Sequence, residues 1–343
     1  MLHGHALSAR VKEFAAAQGA DLVGIAPPET YADYSAQVEQ RIAETGASHR
    51  DFMISDDGAA FFDRLASAAN TLPSVKAILI VGVYAYDEAA VYRHTRQELR
   101  GRIARTYSAY PVARQVAEGV VAYLRDLGYQ AMHGQDVPLK YVAHRIGLGC
   151  YGKNGLLLTR QYGSYVGLRD VLTDAPLEPD ALERPTFCQD CDRCLRACPT
   201  GALYAPYKVN ARLCFNPITR REERIAPELG LKMGNWVHGC DICQEVCPAN
   251  QGLVPRKVDP RAGFDPLHHA SHKVLGGLER FPPLLDLLGS ERPPVIRRNA
   301  VIALANVGHG RADVLAALEA QVAGADEELR YVLRWAMGRL AGG

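Results

Sequence analysis

The sequence contains no apolar run approaching the roughly 20 residues that span a bilayer, so no membrane association is expected. It also lacks an excess of either charge: 39 lysines and arginines face 38 aspartates and glutamates, a net of +1. That balance excludes global electrostatic steering toward nucleic acid or membrane surfaces. A secretory leader is missing from Met1 to Ala20, where Arg10, Lys12 and Glu13 interrupt any apolar stretch. Cysteine is almost absent outside one window: eight of the nine fall within residues 188–247, and Cys150 alone lies elsewhere. The remaining composition, 48% hydrophobic and 22% charged over 343 residues, is that of a soluble globular protein of two or three domains.

The window is therefore the most informative part of the chain. Cys188, Cys191, Cys194 and Cys198 spell C-x2-C-x2-C-x3-C-P, ending at Pro199. After Cys214, the residues Cys240, Cys243 and Cys247 spell C-x2-C-x3-C-P, ending at Pro248. The first spacing is used by bacterial ferredoxins to hold [4Fe–4S] clusters, the fourth cysteine crossing to a second cluster. The expected ligand sets are Cys188, Cys191, Cys194 and Cys247 for one cluster, and Cys198, Cys214, Cys240 and Cys243 for the other. A zinc ribbon closes after four ligands in paired knuckles and does not explain three cysteines in tandem. A disulfide framework belongs to small secreted domains. Cluster thiolates persist in a reducing compartment, so a cytoplasmic location is expected.

Around the window, hydrophobic spacing alternates between helix and strand. Residues 5–18 read as an amphipathic helix stopped at Gly19, with a short strand at Asp21–Ile25. Ala77–Tyr84 (AILIVGVY) reads as a buried strand. Val112, Val116, Val120, Tyr123, Leu124 and Leu127 follow helical spacing up to Gly128, and a further helix is expected at Leu139–Arg145. Leu156–Leu158 and Tyr165–Thr173 read as strands around Gly163-Ser164. The expected fold class is α+β: an N-terminal α/β domain (1–178), a bacterial-ferredoxin-like two-cluster module (179–258), a linker (259–290) and a C-terminal helical tail (291–343). The tail reads as three short helices of HEAT-like repeat character, unable to bury their faces alone and so expected to pack on the cluster module. Six arginines between Arg93 and Arg114, against Glu98 alone, read as a solvated face or as an anion-binding rim.

Several stretches together resemble the epoxyqueuosine reductase family. GLGCYGKNGLLL (147–158) resembles its G-L-G-W-x-G-K element, and Gly163-Ser164 with Leu172-Thr173-Asp174 its G-S…L-T-D stretch. CQDCDRCLRACPTGAL (188–203), CFNPIT (214–219) and GCDICQEVCPAN (239–250) match closely. IRRNAVIALAN (296–306) and LRWAMGRL (333–340) are similar to its repeat elements. The resemblance implies a cobalamin-binding first domain and a cobalamin-dependent oxidoreductase that reduces epoxyqueuosine to queuosine in tRNA, removing the epoxide oxygen as water. No D-x-H-x-x-G element supplies a histidine ligand to cobalt, which suits base-off cobalamin. An external low-potential electron donor and a monomeric state are expected. Two rivals stay open: a paralogous reductase with the same cofactors and a small-molecule substrate, and a non-catalytic ferredoxin-like electron carrier or cobalamin-handling protein.

The resemblance also implies site residues. Lys153 and Asn154, in a glycine-punctuated loop, are candidate cofactor contacts or turn residues. Ser164 and Thr219 are candidate hydrogen-bond partners of corrin amides, and Asp241 and Gln244 are expected where the second cluster approaches the corrin. Asp136, two residues before Pro138 in HGQDVPLKYVAHRIGLG (133–149), is the candidate proton donor, with Lys140, Tyr141 and His144 as substitutes. Cys150 stands where the family has tryptophan and reads as a buried small residue or as one facing substrate or cobalt. The family's D-Y-H element is missing near Arg102–Tyr110. In the tail, seven arginines face six acids over 291–343; Arg297, Arg298, Arg330 and Arg334 are candidates to meet an RNA backbone.

Overall fold

The apolar run Ala77–Tyr84 is a strand, buried along its whole length, and it is central to the main sheet. The computed structural model describes residues 4–29, 31–48, 51, 66–86, 99–134, 137–256 and 281–342. The first domain runs α1 (His5–Ala17), β1 (Leu22–Ala26), α2 (Ala32–Thr45), β2 (Ala77–Tyr84), β3 (Arg102–Ile103), α3 (Thr106–Asp126), β4 (Ala131–Met132) and α4 (Leu139–Arg145). It continues through β5 (Cys150–Tyr151), β6 (Leu157–Leu158) and β7 (Val166–Thr173). The sheet order is β1-β2-β7-β4, and each of its pairings is antiparallel.

That register corrects the expected N-terminal α/β domain to α+β. The continuous apolar run of β2 reflects cover on both faces, a property that parallel sheets share but do not own. Leu79, Val81 and Val83 point to one side, where they join Leu7, Val11 and Ala15 of α1 and Val116, Val120 and Leu124 of α3. Ile78 and Ile80 point to the other, against Val142, Ala143 and Ile146 near α4. The period of two along β2 thus feeds two cores from one strand.

The cysteine-rich part carries α5 (Arg193–Ala197), β8 (Leu203–Ala205), β9 (Lys208–Val209), α6 (Phe215–Ile218), α7 (Pro227–Lys232), β10 (Trp236–His238) and α8 (Ile242–Glu245). It is joined to the first domain by backbone: β10 pairs in parallel with β3. The tail forms α9 (Pro294–Val307), α10 (Ala312–Gln321) and α11 (Glu327–Ala341). Pro294 opens α9, and the Asp326 carboxylate accepts the Leu329 N–H at the start of α11. Ile296, Ala300 and Leu304 of α9 and Val332, Leu333 and Ala336 of α11 share one core with Ile103, Phe215, Trp236 and Val237. The tail therefore packs on the cysteine-rich part, burying the face that short helices cannot cover alone. Most of the 259–290 stretch lies outside the described residues.

Many of the arginines in the two arginine-rich stretches are engaged within the protein. In the first run, Arg93 and Arg96 lie outside the described residues. Arg100 donates to the Phe281 carbonyl, Arg102 pairs with Glu245 and lies over the Trp236 ring, Arg114 pairs with Glu118, and Arg105 is buried. In the tail, Arg298 is buried and donates to the carbonyls of Glu223 and Ile218. Arg297 donates to the Leu288 carbonyl and Arg330 to that of Ala325, which leaves Arg334 as the exposed member of the four. Among the described residues, no helix is long and apolar enough to cross a membrane.

Candidate metal centre

Both C-P dipeptides have a local structural reason. A proline disfavours helical backbone in the residue before it, and Cys198 and Cys247 adopt extended φ,ψ of −67°,110° and −75°,123°. Each short helix, α5 with Cys194 and α8 with Cys243, is followed within a few residues by such a break. The cysteine after the helix is thereby turned away from the helix that precedes it.

The thiols sort by neighbour into two sets. Burial pushes Cys194 up to about 11, and Cys188 and Cys247 add to it. Burial also raises Cys247, with Cys188 and Cys191 contributing. Cys214 is pushed up to about 11 by burial and has Cys198 as its thiol neighbour. Burial raises Cys240, which borders Cys214, and raises Cys243, which borders Cys240 and Cys214 and, least strongly, Cys194. Cys198 runs the other way: burial raises it, but the Thr200 hydroxyl and the N–H groups of Leu203, Thr200 and Ala202 outweigh that and bring it down. All nine cysteines are free. Eight soft donors in two crowded sets, most of them costly to ionise alone, fit iron, which deprotonates the thiols it binds.

The residues expected to touch a corrin form a buried chain between the two domains instead. The Ser164 hydroxyl donates to Gln244 Oε1 at 2.8 Å, and Gln244 Nε2 donates to Asp241 Oδ1 at 2.9 Å. Asn250 closes the chain: its amide donates to Ser164 Oγ and to the Gln244 carbonyl, and its Oδ1 accepts the Ser164 N–H, each at 2.8 Å. Gly163, at φ +52°, brings that approach about; a Cβ there would lie 2.0 Å from Asn250 Oδ1. Asp241, fully buried, accepts from the Arg105 backbone N–H at 2.9 Å and from its guanidinium at 3.2 Å. Thr219 is also fully buried: its hydroxyl donates to the Phe215 carbonyl and accepts the Gly239 N–H at 2.7 Å. Asn154 Oδ1 accepts the Leu156 N–H inside its own loop. Asn154, Ser164, Thr219, Asp241 and Gln244 thus each bond to protein groups and brace the loops that carry them.

Lys153 differs from expectation in the same way. Its ammonium donates to the carbonyls of Gln189 at 2.6 Å and Cys191 at 2.9 Å, within the first C-x2-C loop. Cys150 lies on the same side, bordering Cys188; burial raises its thiol and Cys188 adds to that. This neighbourhood is the first thiol set. The second set borders a different neighbourhood. Lys140 of α4, whose ammonium donates to the Gly155 carbonyl, has its pKa lowered by desolvation and then by Arg41, while the Cys214 and Cys243 thiolates oppose the shift. Lys140 itself is exposed. Tyr34 and Tyr151 border Arg41 there, and burial raises both phenols. Two cations and two phenols beside the second set offer donors and charge that suit a macrocycle rimmed by amides and a phosphate. Asp136 lies outside the described residues; the chain resumes at buried Val137 and enters α4 through Pro138.

Arg105, Asn250 and Arg41 are absent from the sequence-derived site. Asn250 stands in the CPAN segment and was within reach as a motif residue. Arg105 was hidden in a basic run that reads as surface. Its burial yields a stability prediction: Arg105→Ala leaves the Asp241 carboxylate buried without its cation, at a cost of about 3–5 kcal/mol. The holoprotein's melting midpoint should fall by about 5–10 °C at a fixed scan rate. A fall under about 2 °C would show that Asp241 does not depend on the guanidinium.

Residues 187–250 match a protein family described as a 4Fe-4S double cluster binding domain. The chain thus carries the domain type of two-cluster iron–sulfur proteins. Beyond that domain it is similar to epoxyqueuosine reductases. The epoxyqueuosine reductase of Bacillus subtilis (strain 168) is 32% identical over 177 residues, covering 49% of this chain and 46% of that relative. The epoxyqueuosine reductase of Synechocystis sp. is 34% identical over 180 residues, 49% of this chain and 60% of that relative. These matched stretches span less than two thirds of either relative. A Bacillus subtilis epoxyqueuosine reductase structure, its aspartate-bearing catalytic loop swung out of the active site, gives a TM-score of 0.80 at 26% identity over 98% of this chain and 91% of that one. A structure of epoxyqueuosine reductase with an epoxyqueuosine-modified tRNA stem loop shares the fold, with a TM-score of 0.74 at 24% identity over 98% of this chain and 99% of that one.

Proposed function

We propose that this chain reduces epoxyqueuosine in tRNA to queuosine, using two [4Fe–4S] clusters and base-off cobalamin. The observation that carries the reading is the sorting of eight thiols into two sets, one of which neighbours the Lys140 ammonium. Cys188, Cys191, Cys194 and Cys247 would hold the first cluster; Cys198, Cys214, Cys240 and Cys243 would hold the second. Cys194 is the thiol of the first set that neighbours Cys243, and electrons from an external low-potential donor would cross between the sets there.

Lys140, Arg41, Tyr34 and Tyr151 would hold the cobalamin beside the second cluster. Bound there, cobalamin supplies a low-valent cobalt able to take part in a two-electron reduction. The protein's own residues do the rest. The Asp241–Gln244–Ser164–Asn250 chain and the Arg105 pair keep the second ligand loop in register with the first domain. Thr219 ties the strand before Cys240 to the helix after Cys214. Asp136, at the entrance to α4, would give a proton to the departing epoxide oxygen. Removing that oxygen as water consumes two electrons and two protons. A reducing, cytoplasmic setting suits eight cluster thiolates, and the protein would act as a monomer.

Anaerobically purified protein should contain about eight iron atoms per chain and show a corrin absorption spectrum. With a low-potential reductant it should convert an epoxyqueuosine-containing tRNA stem loop to the queuosine form, read by mass spectrometry of the nucleosides. Full cofactor loading without deoxygenation would sink the tRNA reading. Iron without corrin would sink the cobalt chemistry for any substrate.

A further inference from the structure

Lys153 was expected at a cofactor edge, but both its side chain and its backbone are tied to the cysteine-rich part. Its ammonium donates to the carbonyls of Gln189 and Cys191, at 2.6 Å and 2.9 Å. Its own carbonyl accepts the N–H of Tyr207, at the β8–β9 turn beyond Cys198. The loop that carries Lys153 is fixed in turn: Gly152 N–H donates to the Leu156 carbonyl and Gly155 N–H to that of Gly152. A charge on so braced a loop sits at a defined distance from the first thiol set.

We propose that Lys153 is a positioning residue that holds the Cys188–Cys191 loop and raises the reduction potential of the first cluster. This rests on the cluster assignment above. Two physical effects have the same sign. An ammonium next to the Cys191 carbonyl favours the more negative, reduced cluster by Coulomb attraction. In addition, a trans peptide holds its C=O and N–H on opposite sides. Drawing the Gln189 and Cys191 carbonyls to Lys153 therefore turns the N–H groups of Asp190 and Asp192 away from the cation. Such N–H groups raise cluster potentials when they reach sulfur, and charge and hydrogen bonding are the protein's main means of setting those potentials. Asp192 is paired with Arg196 in the same stretch, so Asp190 is the acid whose charge Lys153 opposes.

The test is a redox titration of the holoprotein followed by electron paramagnetic resonance, the first cluster's signal being the one lost in Cys191→Ser. In Lys153→Met, with iron still about eight per chain, the first wave should move to lower potential and the second should stay in place. The expected shift is about tenfold in the oxidised-to-reduced ratio at fixed poise, or about 59 mV for one electron. Lys153→Arg should restore most of it. Intact clusters with both waves unmoved overturn the proposal. If Lys153→Met loses iron, Lys153→Gln is titrated with the same readings. Loss in both neutral variants supports the tie when Lys153→Arg regains iron, and overturns the proposal when it does not. Wild-type protein without two clusters would instead defeat the functional reading itself.

Discussion

Replacing Cys247 by serine should lower the iron content from about eight to about four atoms per chain and give the same residual spectrum as Cys191→Ser. The crossed sets predict two spectral classes among single variants: Cys191→Ser with Cys247→Ser, and Cys198→Ser with Cys240→Ser. A pairing that followed chain order would put Cys198→Ser with Cys191→Ser and leave Cys247→Ser with Cys240→Ser. The neighbours favour the crossing, because Cys247 borders Cys188 and Cys191, while Cys198 borders Cys214. The mechanism is the helix-then-proline element, which occurs twice. In each copy, the cysteine on the helix and the one before proline are driven apart by the extended backbone at Cys198 and Cys247. Iron analysis and low-temperature resonance spectra of the four variants decide the matter. Cys247→Ser sharing the spectrum of Cys240→Ser would reverse the assignment.

What was readable in the sequence follows from which forces act locally. The helices α1, α3 and α4 and the strands β2 and β7 were legible because periodicity is written along the chain itself. The two-cluster character of the cysteine window was legible because metal spacing is a short-range constraint. Strand direction was not. An eight-residue apolar strand reports burial on both faces and says nothing about which neighbour runs beside it. The polar braces were also out of reach as braces. Arg105 meets Asp241 across 136 positions and Ser164 meets Gln244 across 80, separations over which no periodicity operates. Their motifs were visible, but the long-range bonds they make were not. Asn299 makes the same point from the tail, where it donates to the carbonyls of Thr219 and Val237 from a fully buried position. Residues that hold cofactor loops in place can be as motif-like as residues that touch the cofactor.

Asp136→Asn should reduce turnover by about 100- to 10,000-fold while leaving iron, corrin and stem-loop binding unchanged. The argument starts from the chemistry of the proposed substrate. An epoxide oxygen leaves as water only if it is protonated, so a two-electron donor without an acid leaves a poor alkoxide leaving group. Asp136 precedes Val137-Pro138, and the Pro138 carbonyl accepts the N–H groups of Tyr141 and Val142 at the start of α4. The same helix carries Lys140 beside Cys214 and Cys243. Asparagine keeps the size of the side chain and its hydrogen bonding but carries no acidic proton. A carboxylic acid acting as donor must stay protonated in the bound complex, which burial against a macrocycle would favour. The turnover rate should therefore fall as pH rises through that acid's pKa, and the residual rate of Asp136→Asn should lack this alkaline limb. Turnover within tenfold of wild type, with the limb retained, would move the donor to Lys140 or Tyr141, and Lys140→Met against Tyr141→Phe would then separate those two. Loss of corrin from Asp136→Asn would instead make the residue a cofactor support, because a proton donor is not needed to hold the macrocycle.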